Sequence, residues 1–106
     1  MNIIILDGSV MTSREKAYAH IAREFRLPDY FGKNLDALYD MVMDNYVNED
    51  TVIILMNYQK MKKSLNEYAD KIISVFSDAM EEKEFIFIVR SRASVLAVNR
   101  RVCSRA

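Results

Sequence analysis

The stretch VIILM, residues 52–56, holds five apolar residues in a row, three of them β-branched. A run this short, followed by polar residues and then a long helical pattern, reads as a buried strand. Two runs of the same kind stand further out, NIIIL at residues 2–6 and FIFIV at residues 85–89. Between the first and second lie two helical patterns. Ser13 can cap a helix that places Ala17, Tyr18, Ile21, Ala22 and Phe25 on one stripe and must stop near Leu27, before Pro28. Asn34 can cap another, running to about Asn45. Between the second and third strands, residues 57–83 are helical throughout, with a break expected near Ser64 and a core stripe from Leu65 to Ala79. Strands without polar alternation are expected to be buried on both faces, and helical crossovers imply parallel pairing with right-handed connections. The expected fold is therefore α/β, a three-stranded parallel sheet packed by three to four helices.

At 106 residues the chain is long enough for one core and too short for two. Half its residues are apolar, while glycine and proline together number three, so few loops are expected. No apolar stretch reaches 18 residues and no basic leader precedes MNIIILDG, so no membrane association is expected and the expected address is the cytoplasm. A single cysteine, Cys103, fits a reducing compartment and argues against a catalytic thiol, and with one histidine it supplies too few ligands for zinc. No metal and no cofactor are expected.

The formal net charge of zero is unevenly spread. All 15 acidic residues lie within residues 1–89, which carry a formal charge of minus five, whereas the last 17 residues contain five arginines and no acid. An acidic body fits a basic partner.

The segment LPDYFGKNLDALYDMVMDNY, residues 27–46, is the most informative. On a helix starting at Leu35, the residues Leu35, Leu38 and Val42 form the core stripe, with Met41 at its edge. Asp36, Asp40 and Asp44 fall on the opposite face at i, i+4 spacing. A merely solvated face is the ordinary reading of such a pattern. Yet this helix has no basic residue after Lys33 to offset its acids, and each like-charged i, i+4 pair costs about 0.2–0.5 kcal/mol. The helix dipole favours Asp36 in the first turn and opposes Asp44 near the last. Acids that destabilise their own helix are better explained as a surface for a cationic partner. Tyr30, Phe31, Tyr39 and Tyr46 flank them, and aromatics beside charge suit a protein interface, although Phe31 reads as core packing.

This segment resembles the barstar family of intracellular ribonuclease inhibitors in its loop and second helix. The pattern Leu-Pro-acid-Tyr-aromatic-Gly-x-Asn-Leu-Asp-Ala-Leu-aromatic-Asp fixes more than ten positions, and the order of elements from residue 1 to 89 also matches, including SVFSDAMEE before the last strand. The resemblance implies a barstar-like inhibitor domain at residues 1–90 that blocks a basic, extracellular-type ribonuclease or a related nuclease toxin with the loop and helix of residues 27–46. It makes Asp40 the carboxylate that enters the phosphate pocket of the nuclease, with Asp36 beside it. Tyr30 would pack against the catalytic histidine, Gly32 and Asn34 would make loop contacts, and Asp78 would be a peripheral acid. Tyr39 and Asp44 complete the expected partner-binding set. No direct nucleic-acid binding is expected, and the protein should be a monomer until the complex forms.

The chain departs from the family in several places. Tyr39 stands where a tryptophan is usual, no second tryptophan is kept near Tyr46, Asp78 replaces a longer glutamate, and Lys33 adds a positive charge beside the loop. The alternative is thus a barstar-scaffold binding or immunity module for a different toxin or protein partner. Residues 91–106 form a basic extension without a family counterpart. It reads as a frayed tail, or as a weak helix using Val95, Leu96, Val98 and Val102. Its arginines leave two roles open, folding back on the acidic face or contacting RNA.

Two enzyme readings are weaker. Asp7 ends the first strand, where a phosphoacceptor could sit, but no paired acid stands beside it and Asp7-Gly8 reads as a turn. His20 lacks a nearby nucleophile motif or glycine-rich phosphate loop and reads as a partly exposed helix residue. The protein is expected not to be an enzyme.

Overall fold

The computed structural model describes residues 2–29, 31–44, 47 and 50–91, and the backbone of residues 95–97. Tyr30, Tyr46 and Cys103 lie outside the described residues, as do Val98, Val102 and the remaining arginine-rich end. The elements follow in the order β1 (Asn2–Asp7), a 3-10 turn (Gly8–Val10), α1 (Arg14–Phe25), α2 (Leu35–Met43), β2 (Thr51–Met56), α3 (Tyr58–Leu65), α4 (Glu67–Ala79), β3 (Ile86–Arg90) and β4 (Val95–Ala97).

The three expected strands pair in parallel, with Ile4 opposite Ile53 and Ile53 opposite Phe87. A fourth strand is added antiparallel to β3, with Val89 opposite Leu96. This replaces the frayed-tail and weak-helix readings for residues 95–97, because β3 would otherwise end the sheet with an open row of backbone donors and acceptors.

Burial on both faces of the sheet is not what the structure shows. β2 alternates strictly, with Thr51, Ile53 and Leu55 buried and Val52, Ile54 and Met56 more exposed. On the same open side, Ile3 is 59% exposed, Ile5 47% and Ile86 42%. The reason is that the buried residues of all four helices join one cluster with Leu6, Ile53, Leu55, Phe87 and Val89, so a single face of the sheet takes the packing. At its centre the Phe76 ring of α4 stacks on Phe87 of β3 at 4.9 Å and on Phe25 of α1 at 5.9 Å. Offset ring pairs of this kind add to the stabilisation that burial gives.

Local chemistry sets the helix ends. Ser13 accepts from the Lys16 amide at 3.1 Å and starts α1, and Arg26 in the left-handed region, φ 57°, ends it two residues before Pro28. The break between α3 and α4 falls at Asn66, φ 55°, two residues past the expected Ser64. α2 ends at Met43, with Asp44 as its C-cap, slightly short of the expected Asn45.

Candidate functional site

The loop leading into α2 is tied down residue by residue. The Leu27 amide donates to the Ala22 carbonyl at 2.8 Å, and the Phe31 amide to the Pro28 carbonyl at 3.0 Å. The Phe31 ring is buried and meets the ring of Tyr18 edge-on at 5.9 Å, which bears out its core role. Lys33 takes a left-handed φ of 54°. Asn34 then does two jobs: its Oδ1 accepts from the Ala37 amide at 2.7 Å as the N-cap of α2, and its Nδ2 donates to the Gly32 carbonyl at 3.3 Å. One side chain thus couples the loop to the helix start. A loop already held in one conformation loses less entropy when a partner lands on it.

In α2 the expected faces separate. Leu38 and Val42 are buried, Leu35, Ala37, Tyr39 and Met41 are half-buried against the core, and Asp36, Asp40 and Asp44 are exposed. None of these three carboxylates has a side-chain hydrogen bond or ion pair among the described residues. Lys33 forms no ion pair with Asp36. Gly32 and Asn34 are exposed beside the first of these acids. Asp78 is exposed on the last turn of α4, the helix that packs on α2. Tyr39 is at once core packing and the half-buried edge of the acidic face.

A cation does reach α2, from a place the sequence does not announce. Lys83, just past α4, donates to the carbonyls of Val42 at 3.1 Å, Met43 at 3.5 Å and Asp44 at 2.5 Å. These are carbonyls that a helix end leaves without intrahelical partners, and the ammonium sits where the dipole is negative. The dipole penalty at Asp44 is thereby offset, while Asp36 and Asp40 keep their exposed negative charge. Helical spacing could not reveal Lys83, which is about forty residues away in sequence.

The Asp7 and His20 pair is a structural lock. Asp7 Oδ1 accepts from the Ser9 amide at 2.9 Å, the Ser9 hydroxyl at 2.7 Å and Asn57 Nδ2 at 2.8 Å. These donors, the Ser9 hydroxyl foremost, hold the carboxyl below its ordinary value. His20 is buried, not partly exposed as expected, because its Nε2 turns inward to accept from the Asp7 amide at 2.9 Å. Asp7 Oδ1 and His20 Nε2 are thus both engaged within the fold. Among the described residues no group of three or more His, Cys, Asp or Glu could hold a metal ion, and no helix is long and apolar enough to cross a membrane.

The result is a small α/β scaffold that fixes a loop and displays exposed carboxylates along the helix behind it. Comparison with known proteins gives its family: a family model described as Barstar (barnase inhibitor) matches residues 1–93, and the chain belongs to the barstar family. A protein of Bacillus subtilis (strain 168) named "Putative ribonuclease inhibitor YrdF" is 33% identical over 91 residues, covering 84% of this chain and 99% of that protein.

Proposed function

We propose that the protein is a non-enzymatic, cytoplasmic inhibitor of a basic ribonuclease, and that it blocks the nuclease active site with the loop and helix of residues 27–46. The observation that carries this reading is the exposed row Asp36, Asp40 and Asp44, whose carboxylates have no ion-pair partner among the described residues, on a helix whose other face is locked into the core. A carboxylate can take the place of a phosphate among arginine and lysine donors, and opposite fields speed the encounter. Asp40, in the middle of the row, is assigned the phosphate pocket, with Asp36 beside it and Asp44 and Asp78 at the periphery. Gly32 and Asn34 give backbone and amide contacts, and Tyr30 and Tyr39 supply aromatic surface. Residues 1–90 carry this activity and residues 91–106 are a basic extension; the protein is a monomer until the complex forms.

The test is a titration of basic ribonucleases with the wild type, Asp40→Ala and Asp36→Ala. At least a tenfold loss of inhibition is expected for Asp40→Ala, about 1.4 kcal/mol, together with slower association and a weaker dependence on salt. If neither change reaches tenfold, the acidic-helix mechanism is wrong. Lys33, exposed beside the loop without a carboxylate partner among the described residues, favours a second reading, a different toxin as target. A panel of nuclease toxins in the same titration separates the two.

A further inference from the structure

The fold treats the three lysines of α3 differently. Lys62 is paired with Asp70 of α4. Lys60 and Lys63, one turn apart, instead line a half-open groove of about 500 Å3. Its other walls are Met56 and Asn57 at the carboxyl end of β2, Gln59, and Arg90 and Ser91 at the end of β3. Three cations from two elements therefore border one groove, and among the described residues no acidic one lines it. The side chains of Lys60, Lys63 and Arg90 have no hydrogen-bond or ion-pair partner among the described residues. Lys60 and Lys63 stand at i, i+3 on α3, a like-charged spacing that works against the helix.

The amino end of α3 adds to the same field. Asn57, its N-cap, makes no side-chain cap, because its amide is turned to Asp7 and its backbone is left-handed, φ 58°. The positive end of the helix dipole is left without that side-chain acceptor, beside the three side-chain cations. The groove lies at the carboxyl ends of parallel strands, where open α/β sheets place ligands, and its volume is within the range of small-molecule sites. It shares no residue with the loop and helix of residues 27–46.

We propose that this groove binds the phosphate chain of a small ligand, either a nucleoside diphosphate or triphosphate or a free oligophosphate. Three separated cationic groups match several linked phosphates better than one isolated anion. Among the described residues no aromatic side chain lines the groove to stack a base, so the phosphate chain carries the recognition.

The experiment titrates the full chain with sodium triphosphate, ATP and sodium sulfate at matched ionic strength, following backbone amide NMR shifts. Saturable triphosphate binding is expected, at least tenfold tighter than sulfate, with shifts centred on residues 56–63 and 90–91. The double variant K60Q/K63Q should weaken it at least tenfold, and Arg90→Gln provides an independent loss should the double variant fold poorly. ATP, with the same number of phosphates, binding as tightly as or tighter than triphosphate supports the proposal and marks a nucleotide; weaker ATP supports it and marks a free oligophosphate. Triphosphate no tighter than sulfate, binding unchanged in the folded variants, or binding seen only with an RNA oligonucleotide would overturn it. Inhibition of a ribonuclease by K60Q/K63Q should remain at wild-type strength, so this test is independent of the acidic face.

Discussion

Lys83 donates to the carbonyl oxygen of Val42 at 3.1 Å, and through this bond and its neighbours at Met43 and Asp44 the segment after α4 closes the end of α2. The acidic helix is thus anchored at both ends, by Asn34 at its start and by Lys83 at its finish.

Replacing Lys83 with methionine keeps much of the stem and removes the charge. The loss of charged hydrogen bonds and of a favourable dipole contact should cost about 1–2 kcal/mol of stability, read as a lower urea midpoint with an unchanged slope. A midpoint equal to the wild type would mean that the ammonium does not hold the helix end in solution.

Asn34→Ala removes the N-cap and the link to Gly32 together. About 1 kcal/mol of stability should be lost, and association with the target should weaken further because the loop then has to be ordered on binding. Comparing unfolding with binding for the same variant separates the two effects; a binding loss no larger than that of a surface control would deny the loop its preorganising role.

Gly8→Ala should destabilise the protein by about 1–3 kcal/mol through overpacking. A Cβ there would lie 2.6 Å from the Asn57 carbonyl oxygen and 2.9 Å from Met61 Cβ, so backbone would have to move. Thermal unfolding would check this; a midpoint equal to the wild type would mean that the backbone at Asn57 gives way without cost.

Stability should rise with pH in a window just below neutrality. Burial, the largest cause, holds the His20 imidazole below its ordinary value of 6.5; Arg23 acts in the same direction, while Glu24 and Asp7 oppose it. The unfolded chain therefore binds a proton that the folded chain refuses between the lowered value and 6.5. The contribution is complete above about 6.5 and is lost as pH falls from there toward the lowered value. Asp7 acts in a more acidic window: its carboxyl is held below the ordinary 3.8, so its stabilising contribution fades as pH falls through the folded value. Urea midpoints measured between pH 5 and 8 should slope upward in the wild type and flatten in His20→Gln.

The strands and helices were legible because each apolar run is continuous and each helix announces its stripe. Ser13 and Asn34 were readable as caps, since that chemistry lies within three residues. The acidic face of α2 followed from spacing alone. What could not be read were relations across the chain. Lys83 at the end of α2, Asn57 on Asp7 and the gathering of Lys60 and Lys63 with Arg90 depend on how distant segments are brought together. The expectation of two buried sheet faces failed for a different reason. An unbroken apolar run says that a strand is apolar, and Ile3, Ile5 and Ile86 show that apolar residues need not all be covered. The fourth strand escaped notice because three residues, Val95–Ala97, are too few for a periodic signal.

The parallel pairing of β1 with β2 has a consequence in time. Asn2 finds its partner at Thr51, so during synthesis at about 5–20 residues per second the strand β1 waits roughly 3–10 s for β2 to exist. Throughout that interval its isoleucines have no sheet to join, and two of them, Ile3 and Ile5, remain exposed even after it forms. Unfinished chains should therefore expose more apolar surface to one another than the folded protein does, a cost set by the order in which the segments are made and borne before the folded state exists.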